Sequence, residues 1–480
     1  MKKFLFLSLA VATLAVTSCK KESGLSAPDA TDSFGAVGTK AADYVQGSKP
    51  RVILQGNLTA TRTLHPDTVY VLKGIVAMAR NRTFKILPGT YITGELDANG
   101  KPGTLVIPRD AKIEAKGTLN NPIVFTSSKL LDNNSFTHPA PGDFGGIILL
   151  GRAPANVTGK SIEGTDVIQP FDNIYGGTNP ADNSGIMQYV RIEYAGYILS
   201  AGNEINGLTC GGVGSGTTLD HIEVAYGADD AFEFFGGTVN ASYLTAIGCD
   251  DDSFDFDNGY RGTIQYGIAV GDLFATHSAN AAGTSADSNG IESDNNADAE
   301  DATYQLTPKT HPILKNFTIV AAQANNTWST GGNGGYIYGV RVRRGSEIEL
   351  TKSIIIGYPR AFTFDSQVSI DAYTAGTSKV ENNIITGLSI SVAKNGAADA
   401  TFNSAFVSAG NKVSVNATNS NHLALLGQPY LNNGSAQLSV RASSASPAYW
   451  APGQIDPTNG IGALDKLNYQ QFDRWAKWYY

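Results

Sequence analysis

The chain has 480 residues, 53 of them glycine, with 42% hydrophobic and only 16% charged residues and a formal net charge of −8. That acid-rich balance excludes a nucleic-acid binder and a protein held to anionic membranes by its own charge. Three cysteines are too few for a disulfide framework.

Residues 1–19 read as an export leader. Lys2 and Lys3 precede an apolar stretch from Phe4 to Val16. A membrane span needs about 20 residues, so this stretch is too short to cross, but it has the length of a signal-peptide core. It ends in Val16-Thr17-Ser18-Cys19, which resembles the lipobox of bacterial lipoproteins. The resemblance implies that Cys19 becomes a lipidated N-terminus carrying palmitate-type chains that anchor the protein in a bilayer. Residues 20–49 are rich in Ser, Ala, Gly, Asp and Lys without apolar periodicity. They read as a flexible tether reaching about 30 Å.

Residues 50–480 read as one domain built from repeats. Phe84-Lys85-Ile86 echoes as Leu105-Val106-Ile107, with Ile92 and Ile113 following each copy. The clearest echo is Phe232-Glu233-Phe234-Phe235-Gly236-Gly237, which returns 22 residues later as Phe254-Asp255-Phe256-Asp257-Asn258-Gly259. Asp229-Asp230 ahead of the first copy returns as Asp251-Asp252 ahead of the second. Ile222, Leu244 and Tyr266 keep the same spacing, as do Val340-Arg341-Val342 and Phe362-Thr363-Phe364. An apolar residue at every second position is the period of a strand. A unit of this length cannot bury its apolar face alone and must stack on its neighbours. The expected architecture is therefore a solenoid of 21–22-residue coils, each hydrogen-bonded in parallel to the last.

In that solenoid Phe232 stacks on Phe254 and Phe234 on Phe256, and Gly237 and Gly259 supply the positive φ of a sharp corner. Cys210 falls at an inward position and Cys249 in a turn, both as unpaired thiols. Residues 152–184 and 275–308 lack the beat and read as loops thrown out from the stack. Residues 366–440 read as further coils with decorated turns. The aromatic stretch 464–480 is expected to fold back as a cap over the last coil.

The chain resembles a right-handed parallel β-helix of the pectin-lyase-like kind, and a family of Bacteroidota-type outer-membrane lipoproteins. The stretches that carry this are Gly117 to Thr126, Gly142 to Ile147, Ser184 to Gly196, the two copies at 232 and 254, and Gly460-Ile461-Gly462-Ala463 with Trp475 and Trp478. The resemblance implies an all-β fold and a lipid-anchored place at the cell surface or facing the periplasm. It implies no established reaction.

Function could reside on the outward positions. Glu233 and Asp255 share one frame, Asp257 lies two residues on, and Glu292 and Asp294 continue the acidic ladder. Arg341 and Arg343 follow on the same face, then Thr363 and Asp365. Stacked carboxylates repel, so the ladder calls for a cation, an arginine or a raised pKa. In the first of three readings these are solvated faces and turns, with Arg343–Asp365 a surface pair. The second is a Ca²⁺ ion on Asp229, Asp230, Asp251, Asp252, Asp255 and Asp257, since oxygen-only ligands suit calcium. The third is a Ca-dependent polysaccharide lyase or glycoside hydrolase using Asp255, Glu292, Arg341 and Arg343.

Neither the Trp-Ile-Asp-His run of pectate lyases nor the Gly-His-Gly and Arg-Ile-Lys of polygalacturonases occurs; Arg191-Ile192-Glu193 departs at its last residue. Gly211 to Gly216 misses the dinucleotide fingerprint at Thr217. The run Gly331-Gly332-Asn333-Gly334-Gly335 has no aspartate in register. His221, beside inward Ile222, reads as an exposed strand residue. The expected role is a rigid binding or scaffold module for an extracellular polymer, chiefly glycan, or for an outer-membrane partner such as a TonB-dependent transporter. No cofactor other than Ca²⁺ is expected.

Overall fold

The computed structural model describes residues 49–415 apart from 133, 135, 166–170, 201–202, 272–287 and 322–334. The leader with Cys19, nearly all of the tether, most of the 331–335 glycine run, part of the second insertion and the 464–480 cap lie outside the described residues.

The chain is a right-handed parallel β-helix whose strands join into one continuous sheet of 28 strands among the described residues. Three columns of strands can be followed by register. One runs Ile147, Leu208, Phe232, Phe254, Ile291, Val340 and Phe362. A second runs Phe125, Ile192, Val224, Ala246, Ala269 and Ile319. The third runs Ala115, Met187, Leu219, Ala241, Ile264 and Leu314. All of these side chains point inward and form one buried core along the axis. Branched and aromatic residues fit the half-buried pleat, and each large one adds about 1.5–3 kcal/mol on burial.

The aromatic stacks form as expected. Phe232 and Phe254 lie with ring centroids 5.2 Å apart and planes 9° apart, and Phe234 and Phe256 are 5.4 Å apart. Gly237 and Gly259 both sit at φ +88°; a Cβ on Gly237 would lie 2.4 Å from the Val213 carbonyl oxygen. Cys210 and Cys249 are free, buried thiols, and burial pushes the Cys249 thiol up to about 12.

Two echoes differ from expectation. Phe84 pairs with Ile113, not Leu105, which stacks instead between Val76 and Ile147. The extra strand Tyr91–Glu95 between them belongs to a different column, so the echo joined two sides of one coil. Leu244 pairs with Gly267 rather than Tyr266. Tyr266 is consumed by a corner in the left-handed region at φ +65°, and the Phe317 ring fills the space that Gly267 leaves.

That corner recurs. The strands Gly185–Glu193, Thr218–Ala225, Ala241–Ile247 and Thr263–Val270 each bend from the third column into the second. They bend at Tyr189, His221, Tyr243 and Tyr266, all with φ between +50° and +65°. Beyond them Asn316, Lys352 and Asn382 have the same left-handed backbone. His221 is therefore not an exposed strand residue. It is a corner residue sandwiched between two tyrosines.

Residues 152–184 are not thrown out from the stack. Ile162 and Tyr175 pack with Ile148, Leu150 and Phe235 over the first column. The Asn156 amide donates to the Asn258 carbonyl at 2.9 Å, its side chain donates to the Asn295 carbonyl at 2.7 Å, and Asp172 accepts from Arg109 at 2.9 Å. Residues 366–415 do form further coils, with two short helices, Gln367–Thr374 and Ala400–Ser408, in their turns.

Candidate functional site

The outward positions of the first column stack in register as Thr209, Glu233, Asp255, Glu292, Arg341 and Thr363. Two residues on, Asp257 precedes Asp294, Arg343 and Asp365 in the same ladder. Ahead of the strands stand Asn206, Asp230, Asp252 and Asn289, with Asp229 and Asp251 beside them. The sequence-derived site residues are therefore brought together on one face.

Most of the face is buried rather than solvated, with Asp251, Asp255 and Asp257 partly exposed. Glu233, Glu292, Asp229, Asp230 and Asp252 are each at most 7% exposed. At its Glu233 end the 152–184 insertion brings Glu163 onto the ladder. The Asn206 amide bonds both Glu163 and Glu233. Nor is Arg343–Asp365 a surface pair. Arg341 Nε bonds Asp365 at 2.9 Å, whereas Arg343 bonds Asp294 at 2.8 Å and also Glu292. Arg344 is a third cation on the face and the second on Asp294, at 2.7 Å. The face thus has an acidic half and a half neutralised by arginines.

In the acidic half, Asp230 accepts from the Asp252 amide at 2.8 Å, and Asp252 from the Asn289 amide at 2.6 Å. Three sets of carboxylates place ligand oxygens within 4.8 Å of one another: Asp229, Asp230 and Asp251; Asp230, Glu233 and Asp255; Asp252, Asp255 and Glu292. Asp257 is in none of the three. No hydrogen-bond partner among the described residues reaches Asp229 Oδ2 or Asp255 Oδ1. Burial, then the negative charge of the neighbouring carboxylates, pushes Asp229, Asp230, Glu233 and Asp255 well above the usual carboxylate range. Burial also lifts Asp257 to about 8, with the charge of Asp294 next.

Sequence reasoning missed Asn206 and Glu163. Asn206 had an in-frame signal, since it stands two residues before its strand as Asp230 and Asp252 do. Glu163 had none, because the insertion follows no repeat.

A second surface arises at the corner. Tyr189, His221, Tyr243 and Tyr266 form one half-buried stack, with centroids 4.5, 4.3 and 4.7 Å apart. One residue earlier in each strand runs a polar row, in which Gln188 and Ser242 donate to Asp220 at 2.8 and 2.7 Å. Gln265 continues that row and donates to Asn316 at 3.0 Å.

The family described as pectate-lyase like beta helix domain matches residues 56–428. Among solved structures, the enzymatically active domain of tailspike protein 2 from bacteriophage CBA120 is 12% identical over 68% of this chain and 47% of that chain, with a TM-score of 0.30. The full-length tailspike protein 2 from an Escherichia coli O157:H7 bacteriophage is also 12% identical, over 68% of this chain and 42% of that one, with a TM-score of 0.29. The chain thus spans less than half of either. No curated protein matches it.

Proposed function

The chain belongs to the family of pectate-lyase-like β-helix domains, and on that premise we propose that it is a lipid-anchored module binding a hydroxyl-rich extracellular glycan. The observation that carries this reading is the half-buried corner stack of Tyr189, His221, Tyr243 and Tyr266 beside its row of amide, carboxylate and hydroxyl groups. Both ladders repeat once per coil, so a polymer with a repeating unit meets a repeating set of ring edges and hydrogen-bonding groups. The net charge of −8 and Asp220 within the row disfavour polyuronates and favour a neutral glycan. Acylated Cys19 holds the module to the outer membrane through the tether, where a TonB-dependent transporter is the partner that would take up the captured polymer.

The other reading, a lyase or hydrolase at Asp255, Glu292, Arg341 and Arg343, requires a polymer to reach a largely buried set, in which Glu292 is only 6% exposed. Its arginines are already engaged with acids. Affinity electrophoresis against a panel of neutral and acidic polysaccharides separates the two. Retardation by a neutral glycan is expected, and Tyr243→Ala should weaken it about tenfold, or about 1.4 kcal/mol, at unchanged melting temperature. Turnover of a uronate polymer with no effect of Tyr243→Ala would overturn the proposal.

The same reading includes a structural calcium. Hard oxygen donors suit it, and Asp229, Asp230 and Asp251, with Asp252 and Asp255 adjoining, would hold it. Buried Asp229 Oδ2, without a hydrogen-bond partner, supports this. The ion would neutralise acids that otherwise retain their protons. Without it, Asp229, Asp230 and Asp255, whose folded pKa values are raised well above the usual carboxylate range, give stability that is full below about pH 4 and is lost as pH rises through those raised values. In chelator the melting temperature should therefore fall as pH rises above about 4. Millimolar Ca²⁺ should remove most of that fall, adding about 2.7 kcal/mol at a hundredfold excess over Kd. A melting temperature indifferent to chelator across this range would rule the ion out.

A further inference from the structure

Away from the acid–arginine face and the corner stack, one cluster joins three separate segments. Lys160 belongs to the insertion, Asn258 to the turn after Phe254–Asp257, and Glu300 to the segment after Ile291–Ser293. Lys160 Nζ lies 2.5 Å from Glu300 Oε1 and 3.4 Å from Asn258 Oδ1. Glu300 Oε2 accepts from Asn258 Nδ2 at 3.1 Å, and the Tyr175 hydroxyl donates to Asn258 Oδ1 at 2.7 Å. One carboxylate therefore bridges an amine and a carboxamide whose carbonyl is already polarised.

Asn258 is wholly buried and held at φ +48°, with its amide bonded to Asp257 Oδ1 and its carbonyl to the Asn156 amide. Tyr175 and Phe235 pack beside it at 5.9 Å between centroids. The Lys160 side chain keeps 42% exposure, which leaves a path for a small leaving group.

We propose that this cluster forms an intrachain isopeptide bond between Lys160 Nζ and Asn258 Cγ, pinning the insertion to the stack. Glu300 takes a proton from the lysine ammonium across their shared hydrogen bond, leaving a neutral amine. Nζ attacks Cγ, and the oxyanion that develops on Oδ1 receives the Tyr175 hydrogen bond. Glu300 then passes the proton to Nδ2 and takes the remaining extra proton from Nζ, the Cγ–Nδ2 bond breaks, and the leaving ammonia carries that proton away as ammonium. One amide replaces another, no electrons are transferred, and no reagent beyond the chain is needed. Glu300 holds Lys160 as its ion-pair partner, so the neutral amine is a minor species. Permanent juxtaposition in the folded protein compensates, because the encounter costs nothing further and the product does not revert.

The test is the intact mass of the folded full chain, compared with a Lys160→Arg variant that cannot form the bond. Allowing for the substitution, the wild type should be about 17 Da lighter, one ammonia. Tryptic digestion should leave Lys160 uncut and give a peptide pair joined through Lys160 and Asn258. Full mass with normal cleavage after Lys160 in the folded wild type would overturn the proposal. Glu300→Gln, checked for wild-type melting, should lack the joined pair. If the pair forms at wild-type yield in that variant, Glu300 is not the proton carrier.

Discussion

Phe254→Ala is expected to lower the unfolding free energy by about 3–5 kcal/mol, the range for emptying a large aromatic site in a close-packed core. Phe254 is fully buried, stacks on Phe232 at 5.2 Å and meets the edge of Phe317 at 5.2 Å. Its backbone is held in parallel register on both sides, so the coils above and below cannot collapse into the space. The cost therefore includes the lost transfer energy and an unfilled cavity. Phe136, which is 90% exposed, is the control, and its replacement by alanine should change stability by less than about 0.5 kcal/mol. Urea denaturation of both variants measures the difference. A loss below about 1 kcal/mol at Phe254 would mean that the stack does not carry the core.

The second large effect is expected at Arg343. Its guanidinium bonds both Glu292 and Asp294, whose side chains are 8% and 6% exposed. Arg343→Ala leaves Glu292 with Arg341 at 3.5 Å and Asp294 with Arg344 at 2.7 Å. Each acid keeps one cation, so the loss is expected at the lower end for such a network, about 3 kcal/mol. The penalty comes from uncompensated charge rather than lost packing. Adding Glu292→Gln to Arg343→Ala should therefore recover part of the loss, whereas Glu292→Gln on its own should destabilise. Denaturation midpoints of the three variants decide it. Additive losses would show that the arginine acts by packing alone.

How much could be read from residues alone varied along the chain. The echo of Phe232-Glu233-Phe234 in Phe254-Asp255-Phe256 predicted the observed register residue for residue, because these coils are adjacent, of equal length and free of insertions. The prediction extended through Glu292 and Arg341 even though insertions lengthen those coils, because the alternation of Ile291-Glu292-Ser293 and Val340-Arg341-Val342 keeps its phase within each strand. The Phe84 and Leu105 echo misled because similar apolar triplets occupy different sides of one coil. At Tyr266 the phase slipped by one, since a left-handed corner takes up a residue that a periodic count assigns to the core.

The identity of the site was legible but its environment was not. Alternation placed Glu233, Asp255 and Glu292 outward, and in a bare solenoid outward means wet. At the Glu233 end the 152–184 insertion brings Glu163 onto the ladder through Asn206; it has no period and is held down by Ile162, Tyr175 and Asn156 through contacts far apart in sequence. The pairing of Arg343 with Asp294 rather than Asp365 followed from side-chain reach across neighbouring coils, which a register does not specify.

The path of the insertion has a consequence for how the protein yields. A stack whose coils touch only their neighbours opens from its ends, one coil at a time. Here bonds from one segment run to Arg109 and, several coils further along the stack, to the neighbouring coils of Asn258 and Asn295. Opening any one of them forfeits contacts on the others, so the middle of the molecule behaves as a single cooperative block while the first coil, near Arg51, frays independently. A pull along the tether at Lys49 is then absorbed by peeling the first strand, Arg51–Leu58, before any load reaches the acidic face.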